Sequence, residues 1–481
     1  MTIGKSFAMT IDGASTPGES AFGVVNPSTG EVFAEAPDCS REQLDLAMNA
    51  AQRAFPEWSA DESSRVATMH DMATAIEKSV ETLARVQTME CGRPFSASLK
   101  HLRGRGDRFR QYADLEVPRI VVQDDDDAVI EIVRRPLGVI ALIKPWNGPA
   151  TNVLNAIGPA LRAGNTVVFK PSPYTPLSAL LIGEIVRDVV PPGVVNVVSG
   201  RDPLGQWMVE HPIPRGIGFT GSSATGRKVN EAAARDFKRC LLELGGNEAA
   251  IVLDDVDPEE LAAQLFWAAF NNNGQVCMAV KRAFVPEIIY DDVANALANL
   301  ARKVKVGDVF DEETELGPLT NKMQFDRVSE LVADALAHGA TALAGSHAIE
   351  RPGYFFEPTI LTNLQEGFRI VDEEQFGPVL PLISYQDVDE AVTRANATPY
   401  GLGASVWSAN SERAAEIAER LDSGTVWINT HQQVTDKAPF GGRKASGLGS
   451  QNGIYSVYAF TDPQTVWRSG RELRGRAKGE A

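Results

Sequence analysis

The sequence contains no apolar run approaching the ~18 residues that a membrane span requires. Its first 13 residues hold one lysine and no apolar stretch of signal-peptide length. Both absences predict a cytoplasmic protein with no membrane partner. Cysteine is scarce: Cys39, Cys91, Cys240 and Cys277 are scattered without a C-x-x-C pair, and the 6 histidines share no ligand spacing with them. Neither a disulfide framework nor a zinc site is indicated, so no metal is expected and any cysteine that matters acts as a thiol. Basic residues are outnumbered, 46 Lys plus Arg against 63 Asp plus Glu for a net charge of −17. A nucleic-acid partner needs the opposite balance.

Two nucleotide signatures are also missing. A G-x-G-x-x-G fingerprint is absent, because Gly216-Ile217-Gly218 lies inside a strand-like run and not in the turn after it. The segment from Gly221 to Lys228 has two glycines five apart, but Arg227 stands where a phosphate loop needs Lys, and neither Ser nor Thr follows. What survives there is a turn, an N-capping Ser222 and a helix start, which is a generic anion site.

What is present is the composition of a globular chain of two or three domains: 481 residues, 43% hydrophobic and 23% charged. Apolar residues recur at helical spacing over 42–102, as in Leu44, Ala47, Met48 and Ala51. Residues 117–140 read as a hairpin around Asp124-Asp125-Asp126-Asp127, a solvated turn and not a cation site. Over 139–255, strand-like and helical pieces alternate, with strands at 139–143, 166–169, 194–198, 217–220, 240–244 and 251–253. This implies βαβ units, a parallel sheet with helices on both faces, and ligands outside the carboxyl ends of its strands. A second α/β alternation follows Gly246. The polar, basic tail after Val466 reads as surface.

Two residues stand out from this frame. Cys277 follows Asn271-Asn272-Asn273-Gly274-Gln275-Val276, a turn that can present a sulfur to a cleft and leave a backbone N–H for an oxyanion, although a lone Cys beside Val and Met also fits a buried core. Glu243 ends the apolar run Leu241-Leu242, where a carboxylate is structurally paired or functional.

These residues belong to a set of seven motifs in order along the chain. They are Pro145-Trp146-Asn147, Phe169 to Ser172, Phe219 to Ser222, Leu242 to Gly246, Phe270 to Cys277, Glu373 to Pro378 and Pro439 to Gly442. The set resembles the aldehyde dehydrogenase superfamily over nearly the whole length. The resemblance implies a Rossmann-like parallel-sheet cofactor domain (1–116 and 137–245), a second α/β catalytic domain (246–445) and a small β oligomerisation element (117–136 and 461–481) of a homodimer or homotetramer. It implies NAD(P)-dependent oxidation of an aldehyde to an acid. Cys277 is then the nucleophile, Asn147 an oxyanion donor and Glu243 the base that hydrolyses the thioester. NAD, with NADP possible, is expected against Trp146, Lys170, Ser172, Pro173, Gly205, Phe219, Gly221, Ser222, Leu244, Glu374 and Phe376.

Three departures matter. Gly148 stands where relatives often carry an aromatic, and Asn152 and Asn155 stand where bulkier residues are frequent, so a wider and more polar substrate tunnel is expected. Pro173 replaces the acidic residue that rejects a 2′-phosphate, so some NADP use is expected; Arg201 is near enough in sequence to approach the adenosine. Lys281 and Arg282 are candidate partners for an acidic substrate tail, but a structural role is the favoured reading of both. A non-redox thiol hydrolase or acyl transferase, and a non-catalytic relative, are the competing readings. The first has no use for Glu374, Lys170 and Phe376, and the second is expected to have lost Cys277 or Asn147.

Overall fold

The computed structural model describes residues 6–470. The chain opens with the short strands Met9–Ile11 and Ala14–Thr16 and the ribbon of Ser20–Asn26 with Glu31–Asp38. Helix Arg41–Ala60 then starts at a capping box, in which Ser40 accepts from the Gln43 N–H and the Gln43 side chain accepts from the Ser40 N–H, both at 3.2 Å. Its Leu44, Ala47, Met48 and Ala51 are buried on one stripe, each such side chain worth ~1–3 kcal/mol of transfer free energy. Four more helices, ending with Arg105–Ala113, complete the opening quarter of the chain.

The first sheet has eight strands in the order Gly447–Leu448, Arg239–Glu243, Gly216–Thr220, Val139–Ile143, Thr166–Lys170, Val195–Val197, Met9–Ile11, Ala14–Thr16. Its centre is parallel, with Ile140 opposite both Val167 and Gly216. Near-continuous apolar strands such as Val-Ile-Ala-Leu-Ile are what a sheet covered on both faces requires. Antiparallel strands from the chain's beginning and from Gly447–Leu448 seal the two edges. The strand order reverses beside Val139–Ile143: the chain builds outward on one side of it, then crosses back to lay Gly216–Thr220 and Arg239–Glu243 on the other. A crevice opens there, outside the carboxyl ends.

The second sheet runs Thr341–Ala344, Thr359–Thr362, Val379–Tyr385, Val280–Pro286, Glu248–Val252, Gly403–Trp407, Thr425–Ile428, parallel except at its first pair. This corrects one assignment. The strand read at 251–253 as part of the first alternation belongs to Glu248–Val252 in the second sheet, where it pairs with Val280–Pro286 and Gly403–Trp407. Alternation counts strands but does not say which sheet receives them. Only Leu244 to Asn247 separates the carboxyl end of a first-sheet strand from the amino end of a second-sheet strand, so ends of strands from the two sheets come together at the crevice.

The hairpin expected at 117–140 is present as Ile120–Asp124 and Ala128–Pro136. Thr461–Ser469 adds to it along nine paired positions, so the segment after Val466 begins as strand, and its described residues are exposed, as the surface reading expects. Residues 471–481, the rest of that tail, and residues 1–5 of the leader reading lie outside the described residues. Among the described residues no helix is long and apolar enough to cross a membrane.

Candidate active site

The loop that carries Cys277 is built by backbone conformation. Helix Pro258–Phe270 ends at Asn271, and then Asn272, Asn273 and Gly274 all take positive φ, at 53°, 55° and 67°. Asn tolerates the left-handed region better than other residues with a Cβ, and Gly enters it freely, which explains three Asn and a Gly in a row. Side chains clamp the reversal: Asn273 donates to the Gly317 carbonyl at 2.6 Å, and the Gln275 side chain accepts from the Thr320 N–H at 2.9 Å. The buried Lys281 ammonium donates to the Gly274 carbonyl at 2.5 Å. Cys277 emerges half-buried, with a path to solvent left open. Its thiol is nevertheless pushed far above the usual cysteine range by burial, then by Glu248, Glu243 and Glu374, with Lys281 opposing.

Glu243 ends the strand Arg239–Glu243 against this loop and is buried. Burial raises its carboxyl to about 8, the Lys144 ammonium opposes the shift, and Oε1 has no hydrogen-bond partner. Lys144, itself lowered to about 8 by burial, donates to Thr220 Oγ1 at 2.8 Å across the two strands that flank the crevice. Asn147 lies beside the cysteine loop, its side-chain amide donating to the Gln275 carbonyl at 3.0 Å while its own carbonyl accepts from Asn272 at 3.1 Å. An amide has two N–H groups, so this bond orients Asn147 and leaves a second donor.

Gly245 and Gly246 close the seam between the sheets. A Cβ on Gly245 would collide with the Glu374 carboxylate. One on Gly246 would meet the Cys277 carbonyl at 2.8 Å. Glu374 accepts from the Gly246 N–H at 3.1 Å, and burial lifts its carboxyl to about 7. Phe376, at φ 48°, stands edge-on to Trp146 with ring centroids 5.4 Å apart. The Lys170 ammonium is buried and, among the described residues, donates only to the Pro171 carbonyl at 3.1 Å; burial lowers it to about 8, against Asp202 and Asp38. A desolvated ammonium with one neutral acceptor is an incomplete arrangement, suited to the hydroxyl groups of a bound ligand.

Ser222 caps helix Ser223–Ala234, its side chain accepting from the Thr225 N–H at 3.3 Å, and Ser222 is exposed at the crevice. Gly221 donates its N–H to the Glu243 carbonyl at 3.1 Å and sits over the ring of the buried Phe219. Ser172 and Pro173 form the turn after Lys170, and Gly205, in the first turn of Leu204–Glu210, has open space on its Cβ side. Leu244 is buried against Gly226. Nine of the eleven residues of the expected dinucleotide set lie on loops or helix starts beyond the first sheet's strands, or at those strands' ends, while Glu374 and Phe376 come from the loop that precedes Val379–Tyr385 of the second sheet. The group they form has a buried cation, a capped helix N-terminus, a carboxylate and two facing aromatic rings, and these fit the ribose, phosphate and nicotinamide parts of a dinucleotide.

The model of the aldehyde dehydrogenase family matches residues 14–466. The chain belongs to this family. It is an aldehyde dehydrogenase, with relatives throughout that group. Human retinaldehyde dehydrogenase 3 is 38% identical over 455 residues, covering 92% of this chain and 89% of that one. The succinate-semialdehyde dehydrogenase (NADP(+)) GabD of Escherichia coli strain K12 is 36% identical over 444 residues, covering 91% and 92%. Among solved structures, the NAD+ complex of an aldehyde dehydrogenase from Bacillus cereus superposes with a TM-score of 0.94 at 34% identity, covering 97% of both chains.

In this aldehyde dehydrogenase the candidate tail-binding cations are structural. Lys281 holds the cysteine loop, and the Arg282 guanidinium donates to the Asn247 and Ala395 carbonyls at 2.9 to 3.1 Å. Arg201 pairs with Asp38 at 2.8 Å instead of reaching outward alone. Sequence reading passes over Glu248, a buried carboxyl whose two oxygens lack partners and which burial raises well above the usual range. Its signal was available: a Glu opening the otherwise apolar Glu-Ala-Ala-Ile-Val.

Proposed function

We propose that Cys277 is the nucleophile, Asn147 and the Cys277 backbone N–H are the oxyanion donors, and Glu243 is the base for hydrolysis. The observation that carries this reading is the carboxyl of Glu243, desolvated, with one oxygen unpartnered, at the seam where the Cys277 loop meets Gly246. The Cys277 thiolate adds to the aldehyde carbon, and the carbonyl electrons move to oxygen, where two neutral donors receive them; one such donor is worth ~3–4 kcal/mol in other enzymes. The cofactor is a nicotinamide dinucleotide, which when bound supplies the acceptor for the hydride leaving that carbon. Lys170 and Glu374 are placed to hold its ribose hydroxyls, the helix start at Ser222 its pyrophosphate, and Trp146, Phe376 and Leu244 the nicotinamide side. Glu243 then takes a proton from water, hydroxide adds to the thioester, and the carbon–sulfur bond breaks to free the acid and the Cys277 thiolate.

NAD is the main cofactor in this reading, and the absence of a carboxylate at Pro173 allows NADP as well. The first sheet with its helices forms the cofactor domain, the second the catalytic domain, and the three-stranded sheet the oligomerisation element. A thiol hydrolase would leave the buried Lys170 and Glu374 without a ligand, which supports the redox reading over it. Four free thiols suit a reducing, cytoplasmic compartment. Cys277→Ala is expected to abolish formation of reduced cofactor from any aldehyde while dinucleotide binding, followed by tryptophan fluorescence, stays near wild type. Retained turnover in the purified variant rejects Cys277.

A further inference from the structure

Beyond the cysteine loop, polar contacts lead away from the reacting centre along helix Pro149–Arg162. Asn152 donates to Asn147 Oδ1 at 3.5 Å and to the Pro145 carbonyl at 3.3 Å. One turn on, about 4.5 Å further along the helix axis, Asn155 accepts from the Arg105 guanidinium at 3.4 Å. Arg105 opens the helix Arg105–Ala113 and is anchored by its Nε to the His101 carbonyl at 3.0 Å, which leaves guanidinium N–H groups beyond the one given to Asn155.

Arg105 does not stand alone. Arg93 is buried and donates to His101 Nδ1, so His101 is a neutral acceptor between two guanidiniums; burial and both arginines hold it well below the usual histidine range. Arg108, on the same face of the helix as Arg105, lies 2.8 Å from Asp436 and donates to Asn452 at 2.8 Å. Arg108 also lines an open pocket of about 400 Å³ with Gln111, Tyr112, Asp436 and Lys437. Of these three guanidiniums only Arg108 has a carboxylate partner, Asp436, and among the described residues neither Arg93 nor Arg105 forms an ion pair. Nearby acids are engaged elsewhere: Glu77 and Asp107 pair with Arg110, and Asp114 with His70. The strain registers on Arg105, lowered to about 10 first by burial and then by Arg108 and Arg93, with Asp436 opposing. Guanidiniums held together without counter-charge are costly unless an anion completes them.

We propose that Arg105, with Asn155 beside it and Arg93 behind it, binds an anionic carboxylate at the far end of the aldehyde, making short-chain ω-carboxy aldehydes the substrate class. This rests on Cys277 being the reacting centre, and it deepens that reading by naming what the tunnel selects. The planar guanidinium fork meets a carboxylate through two parallel bonds, whereas a neutral alkyl end would leave the cluster desolvated and uncompensated. Gly148 and the two Asn residues supply room and polar walls for such a tail.

The test compares matched pairs, butanal with succinate semialdehyde and hexanal with adipate semialdehyde, in wild type, Arg105→Met, Arg105→Lys and Asn155→Leu. Succinate binding is measured by calorimetry in parallel. Wild type is expected to favour the carboxylated member by about tenfold or more in kcat/KM, carried by KM. That ratio should fall toward one in Arg105→Met, recover partly in Arg105→Lys and drop in Asn155→Leu, with succinate affinity following the same order. No preference in wild type, or equal losses for both members of a pair in the variants, overturns the proposal. If Arg105→Met does not fold, the Lys and Asn155 variants and wild-type succinate binding decide. Succinate binding that needs Arg105, in a protein that oxidises no aldehyde, would instead reject Cys277 and keep the anion site.

Discussion

Glu243 shows how much one residue's surroundings decide. At the end of an apolar strand its carboxyl is pushed up to about 8 by burial, with the Lys144 ammonium opposing the shift. A base acts in its ionised form, so raising the pH through this value increases the active fraction, and lowering it protonates Glu243. Hydrolysis of the acyl-enzyme is therefore expected to speed up from pH 6 to 9 and to level off above about 8. In Glu243→Gln that limb should vanish and deacylation should slow by roughly 10²- to 10⁴-fold, giving a burst of reduced cofactor followed by slow turnover. Stopped-flow absorbance across pH checks both. A first turnover slowed as much as the steady state would assign Glu243 to the thiol or the fold.

At the scale of an element, the turn from Asn271 to Gln275 does the positioning. Gly274 has φ 67°, and a Cβ there would collide with the Gly377 carbonyl and approach the Ala269 carbonyl at 3.2 Å. Both obstacles are backbone, so neither can swing aside as a side chain would. Gly274→Ala is expected to cost at least ~1–2 kcal/mol in the left-handed conformation alone, and to shift Phe376 through its neighbour Gly377. Calorimetry should show a lower Tm, and single-turnover measurements should show slower acylation. A variant with wild-type Tm and acylation would mean that the loop adapts and its geometry is not what aims Cys277.

Across the whole molecule, the three-stranded sheet presents a group of exposed apolar side chains. Ile120, Val121, Val122 and Trp467 are exposed on it, Trp467 to 68%. Apolar side chains grouped on one small sheet mark an interaction surface, and an uncovered sheet of this kind also has edges to satisfy. We propose that copies of this chain meet here, as a dimer or tetramer. Val122→Glu with Trp467→Glu is expected to shift wild-type dimers or tetramers to smaller species in light scattering, with the monomer's Tm lowered where covered surface is lost. An unchanged mass assigns the contact elsewhere.

The parallel-sheet class, both alternations, the hairpin and the main helices were legible because burial on two faces writes continuous apolar strands, and amphipathic helices write a 3.6-residue period. The turn before Cys277 was legible for a related reason: only Asn and Gly enter three successive left-handed positions easily. Short edge strands such as Ala14–Thr16 and Gly447–Leu448 were not, since two or three residues carry no period. Nor was the sheet to which Glu248–Val252 belongs, because periodicity describes a strand's faces and not its neighbours. The deeper limit concerns charge. Nothing in the sequence singles out Arg93, Arg105 and Arg108 among the 46 basic residues, or Glu248 among the 63 acidic ones. Whether a charge meets water, a counter-ion or neither is a matter of distance and desolvation, which depend on residues far apart in sequence, and only the tertiary structure decides it.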